Sequence, residues 1–577
     1  MNKIIGINAN HADSSSCILI NGSLEFAIEE ERINRIKHWA GFPKNSIEMC
    51  LAKTNIKSDE INHVAINTNP LSNFKKKLFY FLKNYTFGKK KTEIINRNKK
   101  KFLLKKEFEK NFILNKKIKF HYIDHHLSHI ASAYFPSNYD NAIGLSLDGF
   151  GDFSSLAIAK CQNKNIQIIK RIFFPHSLGL FYESITQFLG FKNYGEEYKV
   201  MALSSLGHPE YYDLIKKNIF INQDIYSLNM EYFNHANDNF RYNFKGCPNQ
   251  PTIYSKKFIK LFGSNNEFNK NDITEKQKNI ASSAQKIFEE YLENIIKEYS
   301  EKTGFKNLVY AGGCALNSLA NGRILEKKII KNIYIPFAPG DSGGSIGAAL
   351  VVNNKLNLSK KNFCNLTSPY LGNDYTNKEI EEFLKKYKKK ISINYYENFN
   401  DLISKITEFL IKDKIIGWFQ DRMEFGARAL GNRSIIANPC EKYMQELINK
   451  KIKRRENFRP FAPSILIEEK KNWFQSKSAN PYMSMVETIL PKKRCFIPAV
   501  VHLDGTGRVQ TVSRKSNIKF YKLIKHFYSK TKVPILLNTS FNENEPVVFT
   551  LKNAMDCFLR TQMDILVLNN FIIKKIK

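Results

Sequence analysis

The sequence predicts an α/β protein with more than one domain, and three observations lead to this prediction. The chain has 577 residues, which at roughly 100–200 residues per domain corresponds to three or four structural units. Hydrophobic residues make up 43% and aromatic residues 13%, so large cores can be buried and a disordered or fibrous protein is excluded. Short apolar runs bounded by turn residues alternate with helical stretches, as in mixed α/β folds.

A β-meander with acidic and serine-rich turns occurs twice. The runs KIIGINA, CILI and LEFAIEEE are joined by HADSSS and NGS, and Asn21-Gly22 is typical of a tight hairpin. The pattern restarts at residue 142 with AIGLSLD, GFGDFSS and LAIAKC, and helices are expected from Ser46 to Thr54 and from Tyr182 to Leu189. Two such copies predict a duplicated fold of the actin/hexokinase type, which holds a nucleotide between its halves. Two unrelated α/β segments would give a similar pattern.

Two junctions of strand, glycine-rich loop and helix follow in the third part of the chain. The run NLVYA leads into Gly312-Gly313 and a helix, and IYIP leads into FAPGDSGGS and a second helix. Glycines at such junctions allow backbone N–H groups and a helix N-terminus to approach a phosphate. These junctions therefore predict a nucleotide or phosphate site.

A polar stretch without clear periodicity, 354–368, predicts a domain boundary. The predicted domains are 1–356, with a Lys-rich insert at about 75–119, and 366–577. The second domain opens with a charged helix expected from Asn377 to Lys390, followed by the strand IIGWFQ.

The net charge of +35 is unevenly distributed. Residues 75–119 contain 16 Lys and Arg97 against three Glu, a net charge of +14. We interpret this segment as a solvated insert on a Lys-rich background rather than a polyanion site. Docking of the lysines on anionic lipid is an alternative that the sequence leaves open.

Two histidines have the spacing of a ligand pair. His125 and His129 share one face if the helix of HHLSHIASAY begins at His125. Asp148 ends the strand AIGLSLD, and Asp341 opens the loop GDSGGS. Such a mixed nitrogen and oxygen set suits Fe(II), Mn(II) or Zn(II) better than Cu or Mg. Surface or capping histidines would give the same spacing.

Other polar groups lie in the first meander. His11, in the turn HADSSS, is a candidate general base toward a hydroxyl, although it could instead bond only its own turn. The charged run Glu29–Arg32 is expected to form a solvated face.

Arginine is concentrated in the C-terminal part. Only 16 of the 89 basic residues are Arg, and nine of them lie between Arg422 and Arg514. Because the guanidinium group binds phosphate or carboxylate through two bonds, this clustering indicates an anionic substrate. The candidate cations are Arg422, Arg428, Arg433, Lys453, Arg455, Arg459 and Arg508. Asn538 and Ser540 follow the strand PILL and could add polar contacts.

Together, several motifs resemble the ATP-dependent O-carbamoyltransferase family, which includes the nodulation-factor, tobramycin and cephamycin carbamoyltransferases. These motifs are INANHADSSS, EEERINRIKHWAGFP, DHHLSHIASAYFPS, LSLDGFGD, EEYKVMAL, YAGGCALNS, APGDSGGSIGAAL, EFGARALGNRSI, RRENFRPFAPS and LLNTSFN. The resemblance covers nearly the whole chain, with the Lys-rich stretch its least diagnostic part.

The resemblance implies an N-terminal domain like the actin-like tRNA threonylcarbamoyltransferase and a YrdC-like C-terminal domain. The C-terminal domain would form carbamoyladenylate from Mg-ATP and carbamoyl phosphate, and the N-terminal domain would carbamoylate a hydroxyl. The family's breadth favours a sugar as the acceptor. His125, His129, Asp148 and Asp341 match the family's metal positions, usually occupied by iron. His11 matches its candidate base. Gly312, Gly313 and Asn317 match its nucleotide loop, and the arginine clusters, with Asn538 and Ser540, match the adenylate-forming site.

Further features set the expected context. The nine cysteines form no C-x-x-C pair, no apolar run reaches 18 residues, and no signal peptide is recognised, so a cytoplasmic protein is expected. A tRNA-modifying enzyme and a non-catalytic scaffold are the alternative functions, although nucleic acid is not the expected partner. The resemblance is compatible with a homodimer.

Overall fold

The computed structural model describes residues 2–83, 88–221, 225–237, 240, 246–264, 268, 272–356 and 366–576, without the side chains of 81, 83 and 88–98. The chain divides into two compact units, 1–367 and 368–577. Both contain helices and β-sheet, which confirms the α/β class. Most of the predicted boundary, residues 357–365, lies outside the described part, so the domain limits stay a prediction.

The first unit is built on two five-stranded sheets, with one separate pair of short strands. Its strands are β1 (Lys3–Asn8), β2 (Ser15–Ile20), β3 (Ser23–Glu29), β4 (His63–Ile66), β5 (Lys119–Tyr122), β6 (Asn141–Gly151), β7 (Ser154–Gln162), β8 (Asn165–Phe173), β9 (Phe220–Ile221), β10 (Ser227–Leu228), β11 (Asn307–Ala311) and β12 (Asn332–Tyr334). Its helices are α1 (Glu30–Asn34), α2 (Lys44–Thr54), α3 (Phe74–Lys83), α4 (Gly88–Asn111), α5 (His125–Tyr134), α6 (Leu178–Phe188), α7 (Glu197–Ser204), α8 (Tyr212–Ile219), α9 (Lys256–Phe262), α10 (Glu275–Thr303), α11 (Ser318–Glu326) and α12 (Asp341–Lys355).

The two sheets repeat one topology. Their strand orders are β3-β2-β1-β4-β5 and β8-β7-β6-β11-β12. In each sheet an antiparallel meander of three strands is followed by two strands parallel to the first. The two predicted meanders are therefore present, each followed by a helix near the expected position, α2 and α6.

The Lys-rich segment is the crossover between the parallel strands β4 and β5. In the second sheet the equivalent crossover, from β11 to β12, contains α11. Parallel neighbours require such a connection because their ends lie at opposite edges of the sheet. The expectation of a simply solvated insert was wrong in part, because Lys77 is buried and Leu104 and Phe108 lie in the core.

Tight turns join the meander strands as the sequence indicates. Asn21 and Gly22 have φ of +51° and +86°, as a two-residue hairpin of type I′ requires. The turn between β6 and β7 uses Asp152 and Phe153, with φ of +47° and +73°. A bulky residue is rarely found in this conformation, so the second turn is strained and is held by its surroundings.

The strands of the second unit are β13 (Ile391–Tyr395), β14 (Ile416–Phe419), β15 (Arg433–Ala437), β16 (Ala462–Leu466), β17 (Glu487–Thr488), β18 (Thr506–Gly507), β19 (Gln510–Val512), β20 (Ile535–Ser540), β21 (Ile565–Leu568) and β22 (Phe571–Lys575). Eight of them form one mixed sheet of order β13-β22-β21-β14-β15-β20-β16-β19, and β17 pairs with β18 separately. Its helices are α13 (Asn377–Lys385), α14 (Phe399–Ile411), α15 (Tyr443–Ile448), α16 (Pro491–Arg494), α17 (Ile518–Thr531) and α18 (Leu551–Arg560). Helix α13 ends five residues before the expected Lys390. Helix α14 buries Leu402, Ile406 and Leu410, whose spacing of four places them on one face.

Candidate metal centre and arginine cluster

Helix α5 carries both predicted histidine ligands. Asp124 caps it by accepting a hydrogen bond from Leu127 N at 3.1 Å, so the helix begins at His125 as expected. His125 and His129 are consequently one turn apart on a single face, with side chains 1% and 0% exposed. His126 points elsewhere and bonds Ser146 and the carbonyl of Ser154.

The structure brings the four predicted metal donors together. The Nε2 atoms of His125 and His129 are 3.1 Å apart. Oδ2 of Asp148 lies 3.3 Å from the first nitrogen and 3.1 Å from the second. Oδ1 of Asp341 lies 3.6 and 3.4 Å from the same two nitrogens. All four donor atoms lie within 4.8 Å of one another, so a single ion could contact each of them.

Electrostatics inside this cluster are strong. Burial lowers the pKa of His129, but the hydrogen bond to Asp148 and the negative charges of Asp148 and Asp341 outweigh it and raise the pKa to about 9. Burial raises the pKa of Asp148, yet the two histidines hold it well below its usual range. The pKa of Asp341 is also lowered, because His11 and His129 outweigh burial and the charge of Asp148.

The donor set fits a divalent transition metal. Among the described residues, no group donates a hydrogen bond to the buried Oδ1 of Asp341, so this oxygen is oriented for another partner. Two imidazole nitrogens and two carboxylates suit Fe(II), Mn(II) or Zn(II), whereas Mg²⁺ prefers oxygen ligands alone. The identity of the metal stays a prediction.

His11 lies beside the metal donors. Its Nδ1 is 3.1 Å from Oδ2 of Asp341, and its ring centre is 5.2 Å from that of His125. Asp341 thus presents one oxygen to the donor cluster and the other to His11. This contact reaches far beyond the turn in which His11 lies, and the role of His11 as a base stays a prediction.

The glycine loop after β11 adjoins the same cluster. Gly312 has φ of +93°, and a Cβ there would lie 2.3 Å from the carbonyl oxygen of Leu147. A Cβ on Gly313 would lie 2.9 Å from Oδ1 of Asp148. Asn317 caps α11 through Ala320 N and pairs with the amide of Gln285. The two glycines therefore let the loop pack closely against Leu147 and Asp148, and the nucleotide contacts of the loop stay a prediction.

Asp152 supports the start of α5, a role that was not predicted from the sequence. Its Oδ2 accepts hydrogen bonds from the backbone N–H groups of His125 at 3.0 Å and Asn69 at 2.7 Å. Its Oδ1 accepts from the Thr68 hydroxyl and from Lys101 Nζ, each at 2.7 Å. Lys101 belongs to the Lys-rich segment, so part of that segment holds the start of α5. The acidic turn GFGDF was a signal, but its partners are distant in sequence.

The run Glu29–Arg32 is buried, and the expectation of a solvated face was wrong. The backbone N–H of His38 donates to Glu31 Oε2 at 2.8 Å, and the His38 ring lies 2.8 Å from Asp13 Oδ1. Burial lowers the pKa of His38, but Asp13, followed by Glu31, outweighs it and raises the pKa to about 9. Arg32 pairs with Glu31 at 3.0 Å within the run, and Glu30 accepts hydrogen bonds from Asn45 and Ser46 outside it.

Five of the seven predicted cations of the second unit come together. Burial lowers the pKa of Arg508 well below its usual range, and the charges of Arg428, Arg455 and Arg459 lower it further. Burial lowers the pKa of Lys453 as well, followed by the charge of Arg455. Glu456 lies 3.6 Å from Arg459, but the charges that dominate at Arg508 are positive. Such a cluster is stabilised by a bound anion.

Polar groups at the end of β20 and just after it contact one of these cations, whereas Asn538 bonds side chains of two other strands. Lys453 Nζ donates to the carbonyl and hydroxyl oxygens of Ser540 and to both oxygens of Asn542. Asn538 is buried, and its Nδ2 lies 3.0 Å from both Ser464 Oγ and Gln510 Oε1. Ser540 is thus connected to the lysine that contributes to the cation cluster.

The other two predicted arginines bind backbone carbonyls. Arg422 donates to the carbonyls of Leu371 at 2.7 Å and Gly372 at 3.2 Å. Arg433 is fully buried, and its guanidinium lies 3.6 Å from the ring centre of Phe419. It donates to four carbonyls, those of Asn373, Gln420, Asp421 and Asn432. Both arginines therefore organise the loop, and any contact with substrate remains a prediction.

Known proteins with similar sequences match nearly the whole chain. Residues 3–350 match the family described as "Carbamoyltransferase N-terminus" and residues 407–575 the family "Carbamoyltransferase C-terminus". An uncharacterized protein of Synechocystis is 36% identical, covering 100% of this chain and 97% of that protein. "Nodulation protein NolNO" of Sinorhizobium fredii is 33% identical, covering 98% and 79% respectively.

A solved structure of HypF in a "phosphate- and nucleotide-bound form" is a weaker match. It is 14% identical, covers 63% of this chain and 47% of its own, and has a TM-score of 0.31, which is too low to support an argument. The two family matches and the similarity to the nodulation protein over 98% of this chain are sufficient by themselves. The chain is therefore an enzyme of the carbamoyltransferase family, as its motifs indicated.

Proposed function

We propose that this carbamoyltransferase uses ATP and carbamoyl phosphate to form carbamoyladenylate in its second unit. The first unit then transfers the carbamoyl group to a hydroxyl of a sugar or related small molecule. The observation that carries this division is the contrast between a metal-type donor set in one unit and a cation cluster in the other. In the same proposal, the repeated sheets belong to an actin/hexokinase-like domain and the second unit is YrdC-like.

The first step needs positive charge. Water releases carbamate and phosphate from carbamoyl phosphate, and a carbamate oxygen attacks the α-phosphorus of ATP. The bond from that phosphorus to the bridging oxygen breaks, and pyrophosphate leaves with Mg²⁺. Arg428, Arg455, Arg459 and Arg508 would neutralise the charge that the phosphates bring together, because this chemistry depends on positioning and charge stabilisation.

The second step needs a base and a fixed adenylate. The acceptor hydroxyl oxygen attacks the carbamoyl carbon, the bond between this carbon and the AMP oxygen breaks, and AMP leaves. His11 would take the hydroxyl proton at Nε2, because its Nδ1 is bonded to Asp341 at 3.1 Å and would carry the ring's proton.

Residues of the first unit would also hold the phosphate of the adenylate. A divalent ion such as Fe(II), bound by the four donors, supplies Lewis-acid stabilisation when present. The loop of Gly312 and Gly313 packs closely on Leu147 and Asp148, and its backbone would lie beside that phosphate. Asn317 would contact the nucleotide from the start of α11.

The decisive experiment measures pyrophosphate without any acceptor. Purified, metal-loaded protein is mixed with ATP, Mg²⁺ and carbamoyl phosphate, and we expect pyrophosphate release that requires carbamoyl phosphate. The Asp148→Ala variant should retain this release and lose carbamoyl transfer, because its change lies in the first unit.

Two results would contradict the proposal. Loss of pyrophosphate release in folded Asp148→Ala protein would show that the two steps are not divided between the units as proposed. Absence of release from the unaltered protein, but its appearance with threonine and bicarbonate, would favour the threonylcarbamoyl chemistry of tRNA modification.

A further inference from the structure

The outward face of α3 is apolar. Leu71, just before the helix, and Phe74, Leu78, Phe79 and Leu82 within it are between 48% and 65% exposed. We call these five residues the α3 patch. Phe74, Leu78 and Leu82 are spaced by four and so form one stripe along the helix. Clustered exposed side chains of this size mark an interaction site more often than single ones do.

The inward face of α3 is attached by other residues. Tyr80 packs on Phe153 and Phe174, with ring centres 5.7 and 5.3 Å apart. Lys77 is buried, and its Nζ donates to the carbonyl of Pro70 at 3.0 Å. A helix that served only to cover this unit would turn its leucines inward and its lysines outward. Helix α3 instead keeps most of its aliphatic side chains on the solvent side.

The crossover that carries the patch is strongly positive. Lys75 and Lys76 are exposed beside it, and Lys99, Lys100, Lys105 and Lys106 are exposed on α4. The segment 75–119 contributes +14 of the net charge of +35. Lysine stems can lie along an apolar surface while their ammonium groups stay in water. The surface therefore combines apolar side chains with cations, as the helices that lie in a membrane interface do.

We propose that the α3 patch docks the enzyme on an anionic lipid surface. The apolar side chains would enter the boundary between headgroups and acyl chains, and the lysines would contact lipid phosphates. Nucleic acid would account for the lysines but not for Leu71, Leu78 and Leu82. A second copy of the chain would bring two strongly positive segments together. Within the described residues no helix is long and apolar enough to cross a bilayer, so the proposed contact is peripheral.

Vesicle sedimentation with the full chain tests this proposal. We expect binding to phosphatidylcholine vesicles that contain phosphatidylglycerol, and much weaker binding to phosphatidylcholine alone. Replacing Phe74, Leu78 and Leu82 together by Ser should weaken binding at least about tenfold, because the apolar contacts are lost. Leu503→Ser is the matched control, since Leu503 is 83% exposed in the second unit and should not affect binding.

A second variant tests the charge separately. Lys75→Glu with Lys76→Glu should weaken binding to the anionic vesicles and leave the apolar patch intact. The proposal is overturned if unaltered protein does not bind the anionic vesicles, or if both variants, folded by circular dichroism, bind as tightly as it does. It is equally overturned if the triple Ser variant changes the protein from dimer to monomer in analytical ultracentrifugation, because the patch would then join two copies.

Discussion

The metal-donor cluster of the first unit and the arginine cluster of the second bury charge in opposite ways. In the first, two histidines face two carboxylates; the carboxylates stabilise the charged form of His129, and the histidines stabilise the charged form of Asp148. In the second, the charges acting on the partly buried Arg508 come from three further arginines. The comparison teaches that one site is organised before its ligand binds, whereas the other holds repulsion that an anion would relieve.

The largest effect is expected when one donor is removed from the metal-donor cluster of the first unit. Asp148→Ala should weaken binding of a divalent metal by at least about 100-fold, because even supporting residues outside a metal's ligand set contribute 10–100-fold. Titration with Co(II), followed by its visible absorption, measures this. Asp213→Ala, at an exposed position on α8, should bind metal normally. Unchanged affinity in Asp148→Ala would exclude Asp148 as a ligand.

The next largest effect is expected when one cation is removed from the arginine cluster of the second unit, which lowers the repulsion among its charges. Arg508→Met should slow the proposed pyrophosphate release about 100-fold, because a partly buried cation that would stabilise the reacting phosphates is lost. The same change should raise the free energy of unfolding by about 1 kcal/mol without ligands, because mutual repulsion falls. Urea unfolding and a pyrophosphate assay measure the two effects, with the exposed Arg514→Met as control. If the Arg508→Met protein were less stable than the unaltered protein, the arginine cluster would not hold the repulsion that we infer.

A smaller effect is expected for the balanced pair His38 and Asp13. Burial and the charge of Lys37 lower the pKa of His38, but Asp13 and Glu31 outweigh them and raise it to about 9. The contribution of His38 to the stability of the fold is therefore complete below pH 6.5 and is lost as pH rises through 9. With a side chain 28% exposed, we expect about 2 kcal/mol less stability at pH 10 than at pH 7 from this residue. Urea unfolding at both pH values measures the loss. It should vanish in His38→Gln and persist in the exposed His208→Gln.

The smallest expected effect is on the support of α5. Asp152→Asn keeps the shape of the side chain but loses the charge that pairs with Lys101, so metal affinity should fall about tenfold. Lys101→Met should act in the same direction, whereas Lys105→Met, exposed on the same helix, should not. Metal titration measures all three. Equal affinities would show that Asp152 only holds the turn.

Local patterns predicted much of the first unit. The hairpin at Asn21-Gly22 follows from turn chemistry, and the histidine pair follows from helical spacing. The four donors came from combining that spacing with a family resemblance, and the structure places them within reach of one ion. These features depend on residues that are close in sequence or on complete motifs.

Features that depend on distant contacts were missed. Asp152 meets Lys101 across 51 positions, and no local period indicates that pair. The run Glu29–Arg32 has the composition of a surface and is buried because its partners fold over it. Arg433 shares a cluster with Arg428 in sequence, yet its position in a strand turns its guanidinium toward carbonyls. Charge counts alone cannot separate these outcomes.

The crossovers after the fourth strand of each repeated sheet suggest how such a duplicated fold diversifies. After β11 the chain reaches the next strand within residues 312–331, and its first glycines adjoin Asp148. After β4 the same topological step takes residues 67–118; it opens with Thr68 and Asn69 on Asp152 and continues into the α3 patch. In both sheets the connection thus begins close to α5 or to a residue that contacts it. Beyond it, the connection after β11 stays short, whereas the connection after β4 is long enough to carry a separate surface, the one proposed to contact lipid.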